Sequence, residues 1–172
     1  SMALSIGIAI QRQNYDSSEA MLADTSMAVR MARRSSGNVY RIIDAESRVA
    51  ARESYRFESE FREAVAAKEL EPYVQPIVNL ASGEPIGYEA LARWPRPDGC
   101  VSPASFIPLA TECGLTGELD LLIIEKALAA MPLLAQPIPH RDMRLSFNVS
   151  GILLEDSDLR SRLLSLIDDN PC

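Results

Sequence analysis

The stretch YEALARW, residues 88–94, places a carboxylate and a guanidinium four residues apart inside an otherwise apolar run. On a β-strand, side chains two residues apart share a face, so Glu89 and Arg93 point one way while Ala90 and Ala92 point the other. Small alanines suit the side of a sheet that helices cover. We therefore expect Glu89 and Arg93 to face the interior or the mouth of a barrel.

Two further predicted strands repeat this alternation. In YVQPIV, residues 73–78, Gln75 and Tyr73 share one face. In LSFNVS, residues 145–150, apolar residues line the helix side, and the polar residues that should face inward are Ser146, Asn148 and Ser150. Three strands are therefore predicted to direct polar groups into one space.

The carboxylate of Glu89 needs a positively charged partner in such a place, because a buried unpaired carboxylate costs free energy. The partner is either Arg93, in an internal ion pair that only fixes packing, or a metal ion. One Glu oxygen and one Asn oxygen do not fill the six-coordinate shell that Mg²⁺ demands. From the residues alone, both alternatives stay open.

The order of predicted elements indicates an α/β protein. In the C-terminal part, strand patterns at 73–78, 86–94 and 144–150 alternate with a two-piece helix at 103–131 and a helix that ends near Asp169. Such alternation predicts βα units around a parallel sheet, either open and doubly wound or closed into a barrel.

A separate strand, helix and strand precede this part. The strands are predicted at 4–10 and 39–43, and the helix between them begins with a capping box formed by Asp16 and Glu19. Residues 45–70 contain no Gly or Pro and predict one long helix. Its role is either that of a packed connector or that of a lever that passes a signal between two domains.

Composition excludes several function classes. The chain has 172 residues, a formal net charge of -7, three cysteines and one histidine. It lacks the basic footprint that DNA or an anionic membrane attracts, and no apolar run approaches the roughly 20 residues of a spanning helix. An odd cysteine number without C-x-x-C spacing favours neither a disulfide framework nor a zinc site. We therefore expect a soluble, cytoplasmic protein with no DNA partner.

Three segments of the C-terminal part together resemble a known family. They are YVQPIVNLASGEPIGYEALARW, VSPASFIPLATECGL and LSFNVSGILL, which cover about 100 residues. In this order they resemble the N-terminal half of an EAL domain, the phosphodiesterase family that hydrolyses cyclic di-GMP. The resemblance implies a (β/α)8 TIM-like barrel, of which residues 71–172 form the first half, with the active site at the C-terminal ends of the strands.

The resemblance also implies roles for individual residues. Glu89 is similar to the metal-binding glutamate of the E-A-L signature, and Asn148 to a second ligand that supplies its amide oxygen. The residues that resemble substrate-binding positions are Gln75, Leu91, Arg93 and Pro108. The implied reaction is hydrolysis of cyclic di-GMP to linear pGpG with Mg²⁺ or Mn²⁺ as cofactor.

The first 44 residues resemble a second family. LSIGIAI and LADTSMAVRMARRSSGNVYRIID are similar to the last strand, helix and strand of a GGDEF (diguanylate cyclase) domain. The signature loop of that family is not in the sequence, so the resemblance implies no cyclase activity. The predicted segments are a GGDEF remnant at 1–44, a linker helix at 45–70 and an incomplete EAL domain at 71–172.

The sequence ends before the strands on which the EAL family carries its remaining acidic ligands and its lysine. We therefore expect that an intact protein would hydrolyse cyclic di-GMP but that this chain alone does not. The alternative is a catalytically silent cyclic di-GMP receptor that couples binding to the helix at 45–70. An incomplete barrel also leaves strand edges open, which favours self-association, including a homodimer through the EAL domain.

Overall fold

The structure, a computed structural model, describes residues 4–10, 15, 17–33, 38–43, 45–135 and 143–170. The chain divides into two units, Ser1–Ser59 and Glu60–Cys172. Among the described residues, no helix has the length and apolar character needed to cross a membrane.

The first unit contains the predicted strand, helix and strand, here β1 (Ser5–Ala9), α1 (Ser18–Arg33) and β2 (Val39–Ile43). The two strands pair in parallel, from Ser5 opposite Val39 to Ala9 opposite Ile43. A parallel pair needs a crossover connection, and α1 provides it. Ala28 of α1 and Ile43 of β2 are buried in one core cluster.

The start of α1 differs from the prediction. The hydroxyl oxygen of Ser17 accepts a hydrogen bond from the backbone N–H of Ala20 at 3.2 Å, so Ser17 caps the helix. Asp16, the predicted cap, lies outside the described residues. Ser and Asp are equally good caps, and the sequence alone therefore did not separate these neighbouring positions.

The long helix α2 (Ala45–Ala66) ends earlier than predicted. Lys68 has a positive φ of 56°. The N–H of Glu69 donates to the carbonyl of Ala64, and the N–H of Lys68 donates to that of Val65. These two bonds form a Schellman motif, which ends a helix at a left-handed residue. That residue is usually Gly or Asn, so a lysine there did not indicate the helix end.

The second unit is built on one central strand. Its elements are β3 (Glu71–Val78), β4 (Pro85–Arg96), β5 (Gly99–Val101), α3 (Pro103–Cys113), α4 (Thr116–Leu134), β6 (Arg144–Phe147), α5 (Gly151–Glu155) and α6 (Ser157–Asp168). β4 pairs antiparallel with β3 and β5, and parallel with β6. The predicted mixture of strands and helices is confirmed.

The prediction of a parallel sheet is correct for the pairing of β4 with β6 and wrong for the pairing of β4 with β3 and β5. The turn at 79–84 joins β3 and β4 as antiparallel neighbours: the side-chain oxygen of Asn79 accepts the N–H of Ala81 at 2.8 Å, and the N–H of Gly83 donates to the Asn79 carbonyl at 2.7 Å. A connection of this length cannot hold the crossover of a dozen or more residues that parallel strands require. β5 was not predicted, because three residues are too few to show a strand period.

α4 supplies much of the core of the second unit, as its apolar sequence predicted. The buried residues of this cluster are Leu121, Ile124, Leu128, Leu153 and Leu163. The residues that pack against it from β6 and the turn after it are Leu145, Phe147 and Val149. The apolar side of β6 therefore faces the helices, which leaves Ser146 and Asn148 exposed on the other side.

Three aromatic rings join the last turns of α2 to β4. Phe61 of α2 is fully buried, and its ring centre lies 5.5 Å from that of Trp94 and 5.9 Å from that of Phe106. Such edge-to-face and offset contacts add to the free energy of burying the rings. Trp94, on the face opposite Glu89, is thereby fixed in the core.

Candidate functional site

Glu89 lies at the centre of a polar face that three segments form. In the antiparallel pair Glu89 is opposite Gln75 of β3, and in the parallel pair it is aligned with Ser146 of β6. Asn148 follows two residues after Ser146, and its Nδ2 donates a hydrogen bond to Oε1 of Glu89 at 3.1 Å. The structure therefore brings together the two residues predicted to be ligands, and it aligns Gln75 beside them.

This face is more open than the barrel interior that the alternation predicted. Glu89 is half-buried, whereas Gln75, Ser146 and Asn148 are exposed. Water therefore shares in stabilising the Glu89 carboxylate, and burial alone does not require a cation next to it.

Arg93 does not pair with Glu89. Nη1 of Arg93 donates to the carbonyl of Ala92 at 2.9 Å, and the guanidinium carbon lies 5.9 Å from the centre of the Tyr73 ring. The Glu89 carboxylate is instead contacted by Nδ2 of Asn148 at 3.1 Å. The hypothesis of an internal Glu89–Arg93 ion pair is therefore wrong, and Arg93 presents its remaining donors on the same face as Glu89.

The two predicted wall residues lie in different places. Leu91 is half-buried and lies between Glu89 and Arg93 on the same face of β4. Pro108 lies inside α3 and is exposed. Leu91 thus lies on the same face as Glu89 and Arg93. The role of Pro108 stays a prediction.

The prediction that Ser150 faces the same space as Asn148 is wrong. β6 ends at Phe147, and Ser150 is instead the N-cap of α5, where its hydroxyl oxygen accepts the N–H of Leu153 at 3.3 Å. The backbone N–H of Ser150 donates to Oδ2 of Asp120 at 2.8 Å. A cap needs a side chain turned towards its own helix, so Ser150 leaves the strand alternation.

Sequence reasoning missed Asp120, which contacts the turn after β6 from α4. Burial raises the pKa of Asp120, and hydrogen bonds from Ser150 partly offset this rise. The one available signal was a carboxylate inside the apolar run LDLLII, residues 119–124. That signal does not identify the hydrogen-bond partner of Asp120, because every residue except proline carries a backbone N–H.

The donor atoms at Glu89 fit a hard divalent cation in part. Carboxylate and carboxamide oxygens are the ligands that Mg²⁺ and Mn²⁺ prefer. A half turn of the Asn148 amide would present its oxygen beside Glu89 in place of the NH₂ group. In the part of the chain that the structure describes, no three His, Cys, Asp or Glu side chains form a group that could hold a metal. These two residues therefore would supply a fraction of a six-coordinate shell.

A cavity of about 460 Å³ lies elsewhere, between α4 and α6. Its lining includes Lys68, Glu125 and Arg162, but the charges are already paired. Lys68 lies 3.1 Å from Glu125, and Arg162 lies 2.8 Å from Glu118. The cavity therefore offers no unpaired cation to a phosphate and is separate from the face around Glu89.

Comparison with known proteins gives one family along the whole of the second unit. Residues 58–172 match the EAL domain family. The chain is 38% identical over 109 residues to the probable cyclic di-GMP phosphodiesterase PdeB of Escherichia coli, covering 62% of this chain and 20% of PdeB. It is 27% identical over 152 residues to the bifunctional diguanylate cyclase/cyclic di-GMP phosphodiesterase MucR of Pseudomonas aeruginosa, covering 88% of this chain and 22% of MucR.

A solved structure is similar as well. The PaMucR phosphodiesterase in complex with c-di-GMP superposes with a TM-score of 0.57 at 27% identity, covering 65% of this chain and 45% of that chain. The fold class is thus mixed α/β, with EAL domains of the TIM-barrel type as structural neighbours. The chain belongs to the EAL domain family, and it spans about a fifth of the length of the curated relatives PdeB and MucR.

Proposed function

We propose that this chain acts in cyclic di-GMP signalling and carries part of the site of a cyclic di-GMP phosphodiesterase. The observation that supports this most directly is the contact of 3.1 Å between Asn148 and Glu89, on the face that also carries Gln75 and Arg93. The substrate is supported by the names of PdeB and MucR and by the c-di-GMP complex of PaMucR.

In this proposal Glu89 and Asn148 hold Mg²⁺ or Mn²⁺ through their side-chain oxygens. When bound, the cation lowers the pKa of the attacking water and offsets negative charge on the phosphoryl oxygens. Glu89 contributes the negative charge of the pair. Asn148 adds a neutral oxygen, which keeps the site less negative towards an anionic substrate.

The dinucleotide is held by the residues beside this pair. Arg93 has a planar fork of N–H donors that suits a phosphate, and Gln75 can both donate and accept hydrogen bonds with the dinucleotide. Leu91 and Pro108 form the wall of the pocket. The product is linear pGpG, formed when one phosphodiester bond is cleaved.

We further propose that residues 71–172 are the N-terminal half of an EAL barrel and that the chain does not hydrolyse cyclic di-GMP alone. The described residues supply two oxygen ligands, whereas Mg²⁺ prefers about six. The same shortage favours the second candidate function, a catalytically silent receptor. A receptor depends on Gln75 and Arg93 more than on metal ligands.

Residues 1–44, the part of the first unit that contains β1, α1 and β2, are proposed to be the C-terminal remnant of a GGDEF domain, and residues 45–70 a linker helix. The β-α-β order and the parallel pairing of β1 with β2 agree with that proposal. So does the likeness to MucR, which covers 88% of this chain and is named a bifunctional cyclase and phosphodiesterase. A homodimer through the EAL domain and a cytoplasmic location stay predictions.

Binding and turnover of cyclic di-GMP by the purified chain test these proposals together. Affinity is measured with and without Mn²⁺, and the product is followed by chromatography. We expect Mn²⁺ to tighten binding, and Glu89→Ala to weaken the Mn²⁺-dependent binding by at least about tenfold, because it removes the charged ligand. Glu84→Ala, in the exposed turn at 79–84, is the matched control and should leave affinity unchanged.

The outcomes separate the alternatives. Turnover with Mn²⁺ that Glu89→Ala abolishes would show that the chain is itself an enzyme and would overturn both the silent receptor and the inactive half-barrel. Binding that Glu89→Ala and Glu84→Ala affect equally would overturn the assignment of the metal site to Glu89.

A further inference from the structure

Asp120 lies on α4 where that helix meets the end of β6. Its sequence neighbours Leu119 and Leu121 are buried in the core. Oδ2 of Asp120 accepts the backbone N–H of Ser150 at 2.8 Å. A carboxyl group in such surroundings loses hydration, and burial raises the pKa of Asp120 accordingly. The contact with Ser150 is the polar interaction that compensates for this position.

Asn148 lies where the sheet no longer holds the backbone. The last aligned pair of β4 and β6 is Ala90 with Phe147, and α5 begins at Gly151. Residues 148–150 belong to neither element. The position of Asn148 therefore depends on what fixes this turn at its two ends.

Strand pairing fixes one end of the turn, and Ser150 fixes the other. The N–H of Ser150 donates to Asp120, while its hydroxyl oxygen accepts the N–H of Leu153 in the first turn of α5. Val149, between Asn148 and Ser150, packs against the core cluster. Asn148 is thus held between two fixed points, with its Nδ2 at 3.1 Å from Glu89.

We propose that Asp120 is a positioning residue for this site: through the Ser150 N–H it fixes the turn at 148–150 and so holds the Asn148 carboxamide against Glu89. The consequence for ligand binding rests on the proposed function. Without the acceptor on α4, the turn loses its anchor and the two oxygen donors separate. Replacing a group that orients a metal ligand without binding the metal itself changes metal affinity by about 10- to 100-fold.

Three variants of the chain test this inference. Asp120→Ala removes the acceptor, and Asp120→Asn keeps a carbonyl oxygen in the same place. Asp156→Ala is the matched control, because it also removes a carboxylate that accepts backbone N–H groups, those of Asp158 and Leu159 at the start of α6. The readouts are the nuclear Overhauser contact between the Asn148 side-chain NH₂ and Glu89, the affinity for Mn²⁺ and the unfolding temperature.

A second pair of variants approaches the contact from Ser150. Ser150→Pro removes the N–H, and the φ of -75° at this position suits proline. Ser150→Ala removes the hydroxyl that caps α5 but keeps the N–H. This pair keeps the inference testable if Asp120→Ala does not fold.

We expect Asp120→Ala and Ser150→Pro to abolish the Asn148–Glu89 contact and to weaken Mn²⁺ binding by about tenfold. Asp120→Asn should restore most of both, and Asp156→Ala should lower the unfolding temperature and change neither. Ser150→Ala, which keeps the N–H but loses the hydroxyl, should weaken both less than Ser150→Pro does. An Asn148–Glu89 contact that survives Asp120→Ala or Ser150→Pro, or that Asp156→Ala weakens equally, overturns the inference. If the contact responds as expected but neither Asp120→Ala nor Glu89→Ala changes Mn²⁺ binding, the positioning role stands and the proposed metal site fails.

Discussion

At the residue scale, the Asp120 carboxyl group makes the stability of the chain depend on pH. Burial raises its pKa in the folded state above the ordinary value of 3.8, so the folded chain binds this proton more tightly than the unfolded chain. The contribution of Asp120 to the free energy of unfolding is therefore fully present below the ordinary value. It is lost as the pH rises through the raised pKa of the folded state.

Asp120→Asn removes this ionisation and keeps an oxygen that can accept the Ser150 N–H. From about pH 4 upward, the variant should therefore gain stability relative to the original chain. Above the pKa of Asp120 in the folded chain, the difference in free energy of unfolding should stay constant. Urea unfolding over a series of pH values measures it.

The control for this experiment is Glu155→Gln, which removes an exposed carboxylate at the end of α5. It separates the titration of Asp120 from the general effect of removing one negative charge. A difference between Asp120→Asn and the original chain that does not change with pH would contradict the prediction.

Single residues also show how far the sequence could predict the site. Strand alternation was enough to place Gln75, Glu89, Arg93 and Asn148 on one side, because side-chain direction in a strand is a local property. The Asp120–Ser150 contact joins a helix to a turn 30 residues later, and local patterns do not encode it.

At the element scale, the pairing of β4 with β6 requires glycine at one position. Gly87 is aligned with Arg144, and a Cβ at this position would lie 2.3 Å from the Arg144 carbonyl oxygen and 2.9 Å from the Arg144 Cβ. Backbone atoms cannot move away as a flexible side chain could. Since Glu89 follows two residues later on the same strand, this close approach also sets the distance between the two halves of the site.

Gly87→Ala should therefore lower the free energy of unfolding by about 1–3 kcal/mol, the range for an overpacked core. It should also weaken the Asn148–Glu89 contact, because β6 must move away from β4. Urea denaturation and the nuclear Overhauser contact measure the two effects.

Gly151→Ala is the matched control for this substitution. It adds the same methyl group at the start of α5, where nothing lies within 4 Å of the new Cβ. The expected change is neutral or slightly stabilising, because alanine favours the helix more than glycine does. Equal effects of the two substitutions would contradict the argument from close approach.

The elements themselves were predictable in type more than in pairing. The apolar α4 and the alternating strands β4 and β6 follow from periodicity, which is set within each segment. The antiparallel pairing of β3 depends on the turn at 79–84, whose length rather than composition excludes a crossover. The end of α2 at Lys68 could not be predicted from residue type, because the left-handed residue that ends a helix is usually Gly or Asn.

At the scale of the whole molecule, the described strands leave open edges and apolar faces. β3 and β6 each pair only with β4 among the described strands. The exposed large apolar residues of α5 and α6 are Ile152, Leu154, Leu164 and Ile167. Those of the first unit's two strands include Ile6, Ile8, Tyr40 and Ile42. An unpaired strand edge beside apolar surface is a site of strand addition and association.

The chain should therefore self-associate as its concentration rises, and a charge on the open strand β6 should oppose this. Ser146 is exposed on β6, and Ser146→Lys places a cation on that edge strand, a substitution that discourages strand addition. Sedimentation velocity over a concentration series measures the effect. Ser105→Lys, which adds the same charge at an exposed position of α3, separates the edge effect from a change in net charge. If both variants reduce association equally, net charge and not the strand edge controls association. An original chain that stays monomeric throughout the series would contradict the prediction and show that the open edges are protected.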